Sequence, residues 1–225
     1  MDKIEELAQI RENLVDDIEA RHINRLKICL ENLEKDVVKL ANTLPLRNNK
    51  LFEARLAVEL RPKIKALIDK HYVLWADGTV REYDKVAKII VDNMKVLPIS
   101  ENFKTLTELD IETITNLKRV KFTGFLDIAT ETTNALADEI YQSTISGKPF
   151  EDTVKTLQHR INGVYIKADQ DEINDLVELV ATTTDETVKL KAIEKLHTVY
   201  GADRVGNNMR RYAKQLAHDS LMEFD

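Results

Sequence analysis

Apolar residues recur at Ile23, Leu26, Leu30, Leu33, Val37 and Leu40, in steps of three and four that keep one face of a helix apolar in a heptad rhythm. No glycine or proline interrupts the chain from Ile4 to Leu40, so the pattern predicts one long helix with a pairing seam. Traced backwards the seam fails, because Asp16 and Glu19 fall on it, whereas Ile4, Leu7, Leu14 and Ile18 fit a shifted register. The phase slips near Arg21-His22, which implies a helix that changes neighbour along its length, or two helices meeting near residue 20. The seam can be buried inside one chain or pair one copy with another, and periodicity does not choose.

Leu44-Pro45-Leu46-Arg47-Asn48-Asn49 reads as a turn, and a second helical stretch follows from about Leu51 to Lys70, with Pro62 opening a new helix or kinking one. Trp75-Ala76-Asp77-Gly78 reads as a break. Thr79 and Glu82 then form a capping-box pattern ahead of a stripe at Val80, Tyr83, Val86, Ala87, Ile90, Val91 and Met94. Pro98 ends that helix, and Ser100 to Leu109 reads as a linker. Further helices are predicted from about Asp110 to Lys121 and, after a break at Thr123-Gly124, on to Ile145. Ser146-Gly147-Lys148-Pro149 is a stop-and-restart signal. Four shorter helices follow: Phe150 to Ile161, Gln170 to Ala181, Thr184 to Tyr200 and Asn207 to Phe224, with Val164-Tyr165-Ile166 as a short extended piece. The fold expected is all-α and elongated, with a long-helix bundle over 1–98 and a short-helix region over 99–225.

Composition supports that class. Six glycines and four prolines in 225 residues leave few turns, hence long helices, and 43% hydrophobic with 32% charged residues is the make-up of a folded chain. One cysteine, Cys29, excludes an intramolecular disulfide and every multi-cysteine metal site, and its place between Ile28 and Leu30 reads as buried filler. No apolar run approaches the roughly 20 residues of a membrane span, and the N-terminus lacks the basic and apolar regions of a signal peptide.

Charge is uneven: net −1 over residues 1–50, +2 over 51–121 and −7 over 122–225. Within this acidic chain Arg61, Lys63 and Lys65 cluster, as do Lys118, Arg119 and Lys121, and then Arg204, Arg210, Arg211 and Lys214. Lys118, Arg119, Lys121, Arg210, Arg211 and Lys214 are candidate contacts for phosphates or an acidic partner, although acidic residues dilute the field around them.

No reaction is written in the motifs. The five histidines lack the i, i+4 spacing of a helical metal pair. His218-Asp219-Ser220 cannot relay a proton, because adjacent residues on a helix point about 100° apart. A nucleophile elbow, a phosphate-binding glycine-lysine loop and a dinucleotide fingerprint are all missing. Asp169-Gln170-Asp171 opens like a calcium loop but puts Asn174 where glycine must turn the chain and Val180 where a glutamate belongs, so the acids read as first-turn residues of a helix. The expectation is a chain that is not an enzyme and takes no cofactor or metal, the competing idea being an enzyme whose carboxylates assemble from distant helices.

Two stretches carry a resemblance. Leu51-Phe52-Glu53-Ala54-Arg55-Leu56-Ala57 through Arg61-Pro62-Lys63-Ile64 resembles the N-terminal helical region of the minor head, or head morphogenesis, proteins of tailed bacteriophages. Ile145 to Val154, followed by Arg210-Arg211-Tyr212-Ala213-Lys214-Gln215-Leu216-Ala217-His218-Asp219-Ser220, is similar to that family's later part. Ala217-His218-Asp219-Ser220 stands where the family has an Ala-Arg-Thr-Glu signature, so no role of that Arg and Glu carries over. The resemblance implies a structural protein of the virion head, present in the host cytoplasm during assembly. Its partners would be portal or major capsid subunits at the portal vertex, with packaged DNA as a further contact during assembly or ejection. It also implies a last helix running on beyond Asp225. The alternatives are a non-viral coiled-coil scaffold that self-associates, and a nucleic-acid-associated adaptor.

Overall fold

A computed structural model describes residues 3–95, 105–165, 170–183, 185, 187–193, 204–205 and 208–223, and they form an all-α bundle. The first helix, α1 (Lys3–Ala41), is unbroken through Arg21-His22. Its buried positions are Val15, Ile18, His22, Leu26, Leu30, Leu33, Val37 and Ala41. Val15, Leu26 and Val37 are eleven apart, as are His22 and Leu33, and Leu30 and Ala41, which is the three-turn period of a straight helix. The heptad seam is therefore corrected at both ends. Leu26, Leu30, Leu33 and Val37 are buried, whereas Ile23 and Leu40 are half-buried flanks beside His22 and Ala41. The phase slip in the sequence is the place where the stripe passes through a histidine.

The turn after α1 is a hairpin, β1 (Leu46–Arg47) paired antiparallel with β2 (Lys50–Leu51). Asn48 and Asn49 take φ of 50° and 59°, the left-handed pair of a type I′ turn. Lys50 bridges to Pro149, and the Phe150 N–H donates to the Asn49 carbonyl at 2.9 Å, which ties the hairpin to one end of the bundle.

From Leu56 to Met94 the chain is one helical rod: α2 (Leu56–Ile68), a π turn (Asp69–Val73) and α3 (Leu74–Met94). The break expected at Trp75-Ala76-Asp77-Gly78 is absent, and Thr79 and Glu82 do not cap a helix. Tyr72, Trp75, Ala76, Thr79, Val80 and Tyr83 are all buried, and that stripe outweighs the roughly 1 kcal/mol a mid-helix glycine costs. Pro62 lies inside α2, and the helix begins at Leu56 rather than Leu51.

The third rod, α4 (Glu108–Ser146), is as long as α1. A capping box of Thr107 and Asp110 opens it and Gly147, at φ 65°, closes it. The break expected at Thr123-Gly124 is corrected: the helix runs through. A Cβ on Gly124 would stand 3.0 Å from Leu216 Cδ2, so the glycine is there for close approach of another helix. The short helices come afterwards: α5 (Phe150–Asn162), α6 (Gln170–Thr182) and α7 (Met209–Glu223), with a helical stretch over 187–193. Val164–Tyr165 (β3) pairs with Arg204–Val205 (β4), so the short extended piece does belong to a two-stranded ladder. The Asp169 end of the rejected calcium loop and the Pro98 stop lie outside the described residues.

Ion pairs fix the directions. Asp36 meets Lys70 and His71, and His22 meets Glu82, so the second rod runs antiparallel to α1. Arg61 meets Asp138 and Lys118 meets Asp84, so α4 runs antiparallel to the second rod. The fourth rod is shared. Helix α5 packs on α1 and α4 near Glu34 and Glu139, and α7 packs on the same two helices near Glu19 and Gly124. Between them lies an insertion whose neck is closed by the paired strands β3 and β4.

One core runs through all four rods, from Leu30 and Leu33 to Phe125, Leu157 and Leu221. Tyr72, Trp75 and Phe125 meet at its centre with ring centroids 5.4 to 6.4 Å apart. The 98/99 boundary lies outside the described residues, and helices from both sides of it share this core.

Candidate functional site

A groove lies between α2 and α4. Pro62 supplies no N–H, so the Val58 carbonyl lacks its usual α-helical donor, and the π turn follows about two turns later. On α4 the facing positions are small: Ala129, Thr130, Thr133 and Ala137. A cavity of about 530 Å³ lies between Pro62 and Leu126, with Arg61, Lys65 and Asp69 along its α2 edge. A second, of about 230 Å³, continues it past Arg61 to Val58 and Tyr141. The groove is apolar along its floor and ionic at its rim. Arg61 stands 3.6 Å from Asp138, and Lys65 2.5 Å from Asp69, both pairs well exposed.

Inside the bundle, polar side chains join helices. The His22 ring is buried, with Nε2 3.1 Å from Glu82 Oε2 and Nδ1 3.2 Å from the Thr79 hydroxyl, while Trp75 Nε1 donates to the His22 carbonyl at 3.1 Å. Burial holds the His22 pKa below its ordinary value, against the opposing pull of Glu82. Burial raises the Glu82 carboxyl, but Arg25, His22 and Lys85 outweigh it and its pKa is lowered. The Thr79 hydroxyl donates to the Trp75 carbonyl at 3.0 Å, and the same oxygen lies at hydrogen-bond distance from His22 Nδ1. Asp36 receives His71, Lys70 and Lys39 at 2.9, 3.1 and 3.3 Å, and these donors hold its carboxyl far below the usual range. His218 meets Glu19 at 3.0 Å. Buried Asn162 donates to the Leu30 carbonyl at 3.2 Å and to the Glu34 carboxylate, which also receives Gln158 at 2.9 Å. His22, His71, His218 and Asn162 thus each fasten another helix to α1. Burial pushes the half-buried Cys29 thiol up to about 12, which keeps it in the unreactive thiol form.

The basic candidates are not gathered into one surface. Lys118 is half-buried and bound to Asp84 at 2.6 Å, Lys121 is half-buried, and Arg119 is exposed. Arg210 is half-buried at the start of α7, and Arg211 and Lys214 are exposed. Met209 and Tyr212 share a cavity with Ile128 and Glu131 of α4, while Leu216 meets Gly124, so α7 runs antiparallel to α4. About two turns of α4 then separate the two clusters. Among the described residues no three His, Cys, Asp or Glu converge as metal ligands, and no helix is long and apolar enough to cross a membrane.

Sequence reasoning missed the groove and the His22 network. Pro62 opposite a run of small residues was the available signal for the first, and the register slip at Arg21-His22 for the second. The chain is an all-α bundle whose fourth rod is interrupted by an insertion. No family model, curated protein or solved structure matches it.

Proposed function

We propose that this chain is a structural assembly protein, a minor head protein of a tailed phage that contacts portal or major capsid subunits. One observation carries the reading: polar side chains fasten the other helices to α1 in a four-rod bundle, and paired strands close the neck of an insertion in the fourth rod. A bundle with an open apolar groove suits protein-protein contact. The resemblance of Leu51 to Ile64 and of Arg210 to Ser220 directs that contact to head components. The adaptor reading has less behind it, since Lys118 is held by Asp84 and the two basic clusters stand apart.

Light scattering of the purified chain with a portal ring, and separately with capsid subunits, tests this. A complex of fixed stoichiometry is expected with one of them. No complex with either at tens of micromolar overturns the reading. Duplex binding that weakens steeply with salt, and whose slope flattens on Arg211→Glu with Lys214→Glu, would favour the adaptor instead.

A further inference from the structure

The groove rim holds two cations whose resident acidic partners are exposed, and the insertion carries an acidic helix long enough to span the groove. Residues 169–186 carry seven acidic side chains and no lysine or arginine, in a chain whose net charge is only −6. Helix α6 lies in that run. Leu176 is its buried side, and Asp175, Glu178, Leu179 and Thr182 are exposed at the i, i+3, i+4, i+7 spacing of one outward face. A thirteen-residue helix is about 20 Å long, and the groove edge from Val58 to Asp69 is about 16 Å. The groove offers Arg61 and Lys65 at its rim and an apolar floor at Pro62, Leu126 and Ala129.

We propose that the α2–α4 groove receives α6 of a second copy of this chain. Leu179 enters the apolar floor between Pro62 and Ala129, while Asp175 and Glu178 replace Asp138 and Asp69 as partners of Arg61 and Lys65. The exchange is cheap because both resident ion pairs are exposed, and exposed pairs hold their partners weakly. Groove and helix are different surfaces, so the contact is heterologous: one copy's helix fills a neighbour's groove and leaves its own groove open. The closed neck lets the insertion take part without disturbing the bundle. The proposal goes beyond the assembly reading and holds whether or not the chain belongs to a phage head.

Light scattering of the purified chain alone, from about 10 to 300 µM at low and at high salt, reads the outcome. The average mass is expected to rise with concentration and to fall with salt. Arg61→Glu with Lys65→Glu, and separately Asp175→Lys with Glu178→Lys, should each weaken self-association at least tenfold. A mixture of the two variants should recover a complex, because the acidic α6 of one still meets the basic groove of the other. Circular dichroism checks that each variant is folded, and Arg61→Gln with Lys65→Gln substitutes if charge reversal disturbs α2. A monomer across the whole range, self-association untouched by either pair of changes, or a mixture that stays monomeric overturns the proposal. Binding to portal or capsid subunits is scored separately, so this result and that of the assembly reading are distinguishable.

Discussion

Val164 stands opposite Val205 in an antiparallel pair at the neck of the insertion, and Tyr165 opposite Arg204. The chain that leaves the bundle at the end of α5 therefore returns beside its point of departure, ready to start α7. Among the described residues, α5 and α7 each pack on both α1 and α4.

Replacing residues 166–203 with Asn-Gly closes β3 and β4 with a two-residue type I′ turn, the loop that suits an antiparallel pair of this register. The shortened chain should keep its helical circular dichroism and melt cooperatively within a few degrees of the parent. A non-cooperative melt would show that the insertion belongs to the folding unit.

Leu30 and Leu33 are fully buried in the core that all four rods share. Leu30→Ala should lower stability by about 2–5 kcal/mol in urea unfolding, the range of buried leucine truncations. Leu30→Asp with Leu33→Asp buries two carboxylates without partners and should leave an unfolded chain. A soluble folded product would mean that the seam pairs copies rather than helices of one copy.

Two groups tie stability to pH in the same direction. His22 has a folded-state pKa below its ordinary value of 6.5, so the unfolded chain takes up this proton first. Its contribution is complete above about pH 6.5 and declines as pH falls toward the folded value. Asp36 is also lowered, so its contribution is present above about pH 4 and is lost as the medium becomes more acidic. Urea midpoints should fall in two stages, first below pH 6.5 and again below pH 4. His22→Gln should remove the first stage and Asp36→Asn should reduce the second; a parent midpoint that does not change from pH 7 to pH 5 would contradict the His22 assignment.

The glycines at 78 and 124 should respond oppositely to an added side chain. Gly78 is helical, and nothing lies within 4 Å of where its Cβ would be. Gly78→Ala should therefore stabilise by about 0.5–1 kcal/mol. Gly124→Val drives a branched side chain against Leu216, 3.0 Å from the Cβ position alone, and should destabilise by about 1–3 kcal/mol. Thermal melts of the two variants check both signs.

The sequence by itself determined the class of fold and most helix ends. Those depend on local causes: the 3.6-residue spacing of apolar positions, the αL glycine at 147, and the stop at Asn162-Gly163. It also placed Leu26, Leu30, Leu33 and Val37 on one apolar stripe that has to be covered, without choosing what covers it. Only the tertiary structure decided whether Gly78 and Gly124 end a helix. Each is locally a weak point, and long-range packing, at the Tyr72–Tyr83 stripe and at Leu216, outweighs the local preference. It likewise decided that His22 rather than Ile23 faces the core, since its partners Thr79 and Glu82 are distant in sequence and arrive with another rod. The groove, the separation of the basic clusters and the return of the chain from Val164 to Val205 belong to the same category. Each depends on which helix lies beside which, and no local spacing encodes that.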